Sequence, residues 1–270
     1  MKKILCAALL VIFTGTACAE TVGALSRLNM SSKEFQAFMI DRYSKRIQSA
    51  IRAKQEQDIS CVYYVSMSAM LMALNSGRID TMLVPEYVAD YVLKEASGTE
   101  SRGFITEKGL TGLTMGFRAD DTDLRDKVNA ALTEMSKAGT LSILLRHNIY
   151  GAGAENPQPA KFDRFKGAKT LNVAITGDLP PIDYVDAGGD AAGFNTALLS
   201  ELGRKLKMNI NLIHIEAGAR ASALISGRAD CVFWFALYPG KGAQWDIPSG
   251  IIVTAPYFNW NKNYFIGLKK

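Results

Sequence analysis

The stretch Leu74-Asn75-Ser76-Gly77-Arg78-Ile79-Asp80 decides the fold, because it returns 150 positions later as Leu224-Ile225-Ser226-Gly227-Arg228-Ala229-Asp230. Each copy follows an apolar stretch of helical period and precedes a run typical of a strand. A glycine after the last helical residue adopts the left-handed conformation that closes a helix. The same helix–glycine–strand joint, found twice, predicts two α/β lobes built to one plan. A chance repeat of a common helix terminator is the alternative.

The first nineteen residues have the features of a secretory signal peptide. Lys2 and Lys3 form a basic start, residues 4–13 an apolar run, and Ala17-Cys18-Ala19 a small-residue cleavage site. The apolar run is shorter than the roughly 20 residues that cross a bilayer. We therefore expect residues 1–19 to be removed on export. Lipid attachment at Cys18 is the alternative.

The composition argues against several kinds of site. A net charge of +5 without a basic run gives no reason to expect nucleic acid as a partner. Two histidines, His147 and His214, are too scattered to predict a metal site. Cys61 and Cys231 each open a strand-like run in a different lobe, so we expect buried, reduced thiols rather than a disulfide.

The second half of the chain has the order of a parallel sheet. A strand at 171–176 leads into a loop broken by Pro180 and Pro181, and a helix at 195–206 leads into a strand at 210–215. This β-loop-α-β-α-β order predicts mostly parallel strands. Ligands of such sheets lie at the carboxyl ends of the strands, here residues 177–181 and 234–238.

Several motifs of this half resemble one family. The loop Asp178-Leu179-Pro180-Pro181-Ile182-Asp183-Tyr184, the helix start Gly193-Phe194-Asn195 and the element Ala255-Pro256-Tyr257-Phe258 are similar to those of the family-3 extracellular solute-binding proteins, the periplasmic receptors of ABC importers. Residues 22–25, 31–34, 77–80 and 112–132 resemble the remainder of that family. The resemblance implies a type II periplasmic-binding fold, two α/β lobes with a cleft between them. It also implies a periplasmic location, a small-molecule ligand, no cofactor, an inner-membrane ABC permease as partner, and a monomer.

The order of the motifs is inverted relative to that family, which indicates a circular permutation. Residues 20–115 would then form the second, smaller lobe, 116–150 the hinge strand and helix that return to the first lobe, and 168–270 the first lobe. Residues 151–167, with two prolines and mixed polar residues, would be the linker that joins the family's old ends. The chain would end at a hinge, in residues 264–268, and one covalent crossing would remain, near residues 112–117.

The resemblance also directs attention to residues that could hold a ligand. The arginine that usually grips an α-carboxylate in this family is absent after Trp234, so Arg220 is the preferred replacement and an exposed Lys241 the lesser one. Trp234 and Phe235 are either stacking walls or plugs of the cleft. The full set of candidate contacts is Asp178, Leu179, Ile182, Arg220, Trp234, Phe235 and Tyr238 from the first lobe, with Ser31, Ser32 and Glu86 from the second.

The second-lobe candidates have plain structural alternatives. Ser31 and Ser32 match helix-start hydroxyls that meet an anion, but Ser31 with Glu34 also fits a capping box. Glu86 replaces the usual amine-binding aspartate, or it is a solvated acid at a helix start.

Three functions follow. The first is a binding protein, not an enzyme, that delivers a small polar or aromatic solute to an importer. The second is an enzyme on the same fold, similar to the cyclohexadienyl dehydratases. The third is a sensory or partner-binding module without a ligand.

Overall fold

The computed structural model describes residues 20–25, 31, 33–34, 59–150, 160–240 and 245–269. The predicted signal peptide, Ser32, Lys241 and most of the predicted linker lie outside these residues. The strands are β1 (Glu20–Leu25), β2 (Ile59–Tyr64), β3 (Thr81–Pro85), β4 (Thr99–Arg118), β5 (Thr170–Ile175), β6 (Asp178–Leu179), β7 (Asp183–Val185), β8 (Ala191–Ala192), β9 (Asn209–His214), β10 (Cys231–Leu237), β11 (Ile251–Val253) and β12 (Phe258–Leu268). The helices are α1 (Met67–Asn75), α2 (Glu86–Glu95), α3 (Thr122–Lys137), α4 (Thr140–Asn148), α5 (Phe194–Leu206) and α6 (Arg220–Ile225), with a 3₁₀ turn at Ala217–Ala219.

The two copies of the sequence repeat form the same joint. Helix α1 ends before Gly77 and helix α6 before Gly227, and these glycines have φ of 70° and 69°. In both joints the aspartate three positions after the glycine accepts a hydrogen bond from the backbone of the neighbouring strand. Asp80 accepts a hydrogen bond of 2.8 Å from the Thr21 amide, and Asp230 accepts one of 2.8 Å from the Asn172 amide. The predicted repeat is therefore a structural repeat.

One mixed sheet holds both copies, in the order β2-β1-β3-β12-β4-β10-β5-β9, with β11 beside β4. Strands β2, β1 and β3 are parallel, and we call the described residues from 20 to 95, which include α1 and α2, the N-half. Strands β9, β5 and β10 are also parallel, and we call the described residues from 170 to 253, which include α5, α6 and β11, the C-half. Strand β12 continues the sheet next to β3 of the N-half, and strand β4 continues it next to β10 of the C-half. Both are antiparallel to these neighbours, and β12 and β4 are antiparallel to each other. The mixed α/β class is thus confirmed.

Two long strands connect the halves. Strand β4 pairs with β12 from Thr99 to Leu113 and with β10 and β11 from Gly112 to Arg118. Strand β12 starts opposite Leu113 and then pairs with β3 from Asn263 to Gly267, inside the N-half. The expectation of a single covalent crossing is therefore wrong, because β12 is a second one. The circular permutation and the lobe boundaries stay predictions.

Apolar packing covers the sheet in both halves. The larger core includes Met70 and Leu74 of α1 and Phe117 of β4, all nearly or fully buried. Cys61 and Cys231 are free and buried, and burial raises the pKa of both thiols. Among the described helices, none is long and apolar enough to span a membrane.

Candidate functional site

A small cavity lies between the halves where strands β1, β2, β5 and β10 end. Its volume is about 10 Å³, which is room for roughly one water molecule. The N-half contributes Leu25, Val65 and Met67, and the C-half contributes Asp178, Leu179, Ala217, Arg220 and Trp234. Four of the predicted contacts thus line one cavity: Asp178, Leu179, Arg220 and Trp234.

The Asp178 carboxylate contacts the N-half directly. It accepts hydrogen bonds from the amides of Met67 at 2.7 Å and Ser68 at 3.2 Å, at the start of α1. The hydroxyl of Ser66 accepts a further bond, from the Ala69 amide at 3.1 Å. Amides of the first helical turn have no intrahelical acceptor, and the helix dipole favours an anion there. Asp178 therefore fills an anion position at the helix start.

Arg220 is committed to a partner within the C-half. Its side chain is 2% exposed and that of Asp246 is 1% exposed. Two guanidinium nitrogens lie 3.0 and 3.2 Å from the Asp246 carboxylate oxygens, and Nε donates to the Ala217 carbonyl at 2.9 Å. Asp246, which the sequence argument missed, also accepts from the Ala236 amide at 2.9 Å. A neutralised, buried guanidinium offers little charge to a ligand, so Arg220 is a support of the cavity wall in this structure.

The wall that Arg220 supports is the indole of Trp234. The guanidinium carbon lies 4.0 Å from the ring centroid, a cation–π contact, and Nη1 donates to the Trp234 carbonyl. The indole N–H donates to the Thr176 hydroxyl at 3.4 Å. The next residue, Phe235, is fully buried in a separate small core with Ala174 and Val232. Of the two aromatic candidates, only Trp234 is among the residues that line the cavity.

The remaining C-half candidates lie outside that lining. Ile182 is fully buried in the larger core. The Tyr238 ring packs against Trp245, with centroids 5.3 Å apart. Both residues follow a strand end, as the sequence indicated, but they pack against protein.

The described N-half candidates also have protein partners. Ser31 and Glu34 form the capping box, since the Ser31 amide donates to the Glu34 carboxylate at 2.9 Å and the Glu34 amide donates to the Ser31 hydroxyl at 3.2 Å. The Ser31 hydroxyl also donates to the Glu34 carboxylate at 2.7 Å, and this bond, followed by the one from the Ser31 amide, lowers the pKa of Glu34. Glu86 begins α2 and pairs with Lys262 Nζ at 3.4 Å. Neither Ser31 nor Glu86 is among the residues that line the cavity.

A buried carboxyl group behind the cavity was also missed. Asp183 is fully buried and accepts hydrogen bonds from the amide and hydroxyl of Thr176, both at 3.0 Å, and from the Gly177 amide at 3.2 Å. Burial raises the pKa of Asp183 and outweighs these bonds, which lower it. The motif of residues 178–184, which contains Asp183, was the sequence feature that could have identified this carboxyl group. Among the described residues, no group of three or more His, Cys, Asp or Glu is arranged to hold a metal ion.

Comparison with known proteins supports the family resemblance in one segment. Residues 171–238 match the model of the bacterial extracellular solute-binding proteins, family 3, which confirms the resemblance there. No curated protein sequence matches the chain. The matched segment contains Asp178, Arg220 and Trp234, and it ends at Tyr238.

Several solved structures resemble the chain at low sequence identity, with TM-scores below 0.5. They include a glutathione-bound ABC transporter/periplasmic binding protein from Brucella ovis (11% identity, TM-score 0.49, 93% of this chain and 63% of that one). Another is a zinc-bound ligand-binding component of an ABC-type import system from Staphylococcus aureus (12%, 0.45, 93% and 66%). A third is the periplasmic aliphatic sulphonate binding protein SsuA from Escherichia coli (12%, 0.41, 93% and 65%). The chain spans just under two thirds of each of these proteins.

Proposed function

We propose that the protein is an exported solute-binding protein that captures a small polar or aromatic solute between the N-half and the C-half. In this proposal it works in the periplasm and delivers the solute to an ABC importer. The observation that carries the proposal is the meeting of both halves around one cavity. Asp178 and Trp234 of the family-matched segment face Leu25, Val65 and Met67 there.

The chemistry of the lining supports a solute with an apolar or ring-bearing body. Trp234 offers an aromatic surface whose position is fixed by Arg220, and Leu25, Val65 and Leu179 are apolar. A carboxylate and the start of a helix supply polar recognition nearby. Because Asp246 neutralises Arg220, the arginine grip on a free amino acid is not in place.

The space available sets a condition on binding. About 10 Å³ holds no solute larger than water, so the halves must part before a ligand enters. The same small volume favours an alternative function, that of a partner-binding or sensory module whose cleft is filled by its own side chains. In the first case a solute stabilises the folded protein; in the second it does not.

Melting of the purified protein with a solute panel tests the proposal. The panel contains the twenty amino acids, glutathione, alkane sulphonates and benzoate. A ligand at a hundred times its Kd stabilises the folded state by about 2.7 kcal/mol, a readily measured rise in Tm. Trp234→Ala should remove that rise, whereas Trp245→Ala, outside the cavity lining, should keep it. No rise with any solute favours the partner-binding module, and chemical turnover of a solute favours an enzyme.

A further inference from the structure

The contact between Asp178 and α1 joins two parts of the chain that are more than a hundred positions apart. Asp178 belongs to the C-half, in the segment after β5, and the amides of Met67 and Ser68 belong to the N-half. Both bonds are made by an ionisable carboxylate to main-chain donors, a charge-assisted contact at the positive end of a helix dipole. The contact lies at the lining of the cavity.

We propose that Asp178 is a latch that holds the two halves closed when no solute is bound. The inference rests on the proposed function in one respect, that the cavity behind the latch is the solute site. Asp178 is suited to this role because Arg220, the buried cation of the same lining, is satisfied by Asp246 within the C-half. The Asp178 carboxylate therefore bonds to the α1 amides of the N-half and not to Arg220.

The latch predicts how the protein responds to a solute. In the closed protein the cavity has room for about one water molecule, so only the open form can accept a solute. The apparent affinity is then lower than the intrinsic affinity by the fraction of molecules that are open. Opening also frees both the Asp178 carboxylate and the α1 amides for the solute.

Hydrogen exchange of the full chain without any solute tests the latch. In wild type, the amides of Met67 and Ser68 should exchange about tenfold more slowly, relative to their intrinsic rates, than those of Asp123 and Leu124. The latter pair lies in the first turn of α3, whose N-cap makes no side-chain hydrogen bond. Equal protection in the two helix starts would overturn the proposal, and this comparison needs no variant.

A substitution gives the second test. Asp178→Asn should lower the protection of Met67 and Ser68 about tenfold and raise the radius of gyration measured by small-angle X-ray scattering. Strands β4 and β12 still connect the halves through the shared sheet, so we expect opening rather than unfolding. Asp190→Asn, which removes an exposed carboxylate from a turn of the same half, should change neither quantity. Because the Asn oxygen can still accept from the Met67 and Ser68 amides, Asp178→Ala, which removes the acceptor, decides the question: if it matches wild type in both quantities, Asp178 is not a latch.

The failures of the two proposals are distinguishable. A silent solute panel with normal latch behaviour would reject the solute-binding function and leave a chain closed by Asp178. A panel that finds a solute while Asp178→Ala changes neither protection nor size would reject the latch and leave the binding function.

Discussion

Replacing Arg220 by methionine tests the buried ion pair behind the cavity wall. Methionine retains much of the side-chain volume but leaves Asp246, 1% exposed, without its cation. Removing one partner of a buried ion pair costs about 3–5 kcal/mol of the free energy of unfolding. The two short contacts of 3.0 and 3.2 Å and the 4.0 Å contact with Trp234 place Arg220 in this class. For a chain of this size the loss corresponds to a fall in Tm of about 6–20 °C.

Urea unfolding followed by far-ultraviolet circular dichroism measures the loss. Arg228→Met is the matched control, since Arg228 is exposed in the same half, and it should lie within about 0.5 kcal/mol of wild type. The double variant Arg220→Met with Asp246→Leu removes both charges and should recover much of the stability. If Arg220→Met unfolds like Arg228→Met but weakens solute binding ten- to a hundred-fold, the sequence-based role of Arg220 as a ligand grip is right and the structural role is wrong.

Two further predictions concern residues near the crossing strands and the buried carboxyl group. Gly116→Ala should lower the free energy of unfolding by about 1–3 kcal/mol, because its Cβ would lie 2.2 Å from the Phe235 ring. Gly218→Ala, with no atom within 4 Å of its Cβ, is the control, and equal melting of the two variants would contradict the packing argument. Burial raises the pKa of Asp183 in the folded state, so its stabilising contribution is complete below the unfolded pKa of about 3.9 and is lost as pH rises through the raised value. Urea midpoints measured from pH 3 upward should therefore fall less steeply with pH in Asp183→Asn, and an unchanged pH profile would exclude this role.

The repeated joint could be predicted because its structural causes are local. A glycine with positive φ closes each helix, and the change of apolar period starts each strand within a few residues. Even the carboxylates of Asp80 and Asp230 perform equivalent tasks, since each binds the amide of a neighbouring strand. The course of β12 was harder to foresee, because a strand's partners depend on contacts between distant parts of the chain. Its pairing with β3 joins residues 263–267 to residues 81–85.

The role of Arg220 could not be read from the sequence for a related reason. Its partner Asp246 lies 26 positions away, beyond β10 and outside any periodic pattern. An arginine near a strand's carboxyl end looks the same in sequence whether it binds a ligand or a buried carboxylate. Phe235 illustrates a second limit, because a register shift in β10 between Phe233 and Phe235 interrupts the regular alternation of side chains across the sheet. The adjacent aromatics Trp234 and Phe235 therefore belong to the cavity and to a separate core, respectively.

Asp178 shows where a correct position still leaves the chemistry open. Its place at the mouth of the gap follows from the strand order, but its partners are main-chain amides, which every residue except proline carries. The charges of the lining are balanced within the protein, Arg220 by Asp246 and Asp178 by the start of α1. A solute bound as proposed would therefore have to offer its own polar groups in exchange for the bond between Asp178 and α1, while Trp234 would contact its apolar surface. Recognition in this cleft would then depend on how completely a solute replaces contacts that the protein already makes with itself, because any donor or acceptor left unpaired on closure costs about 1–3 kcal/mol.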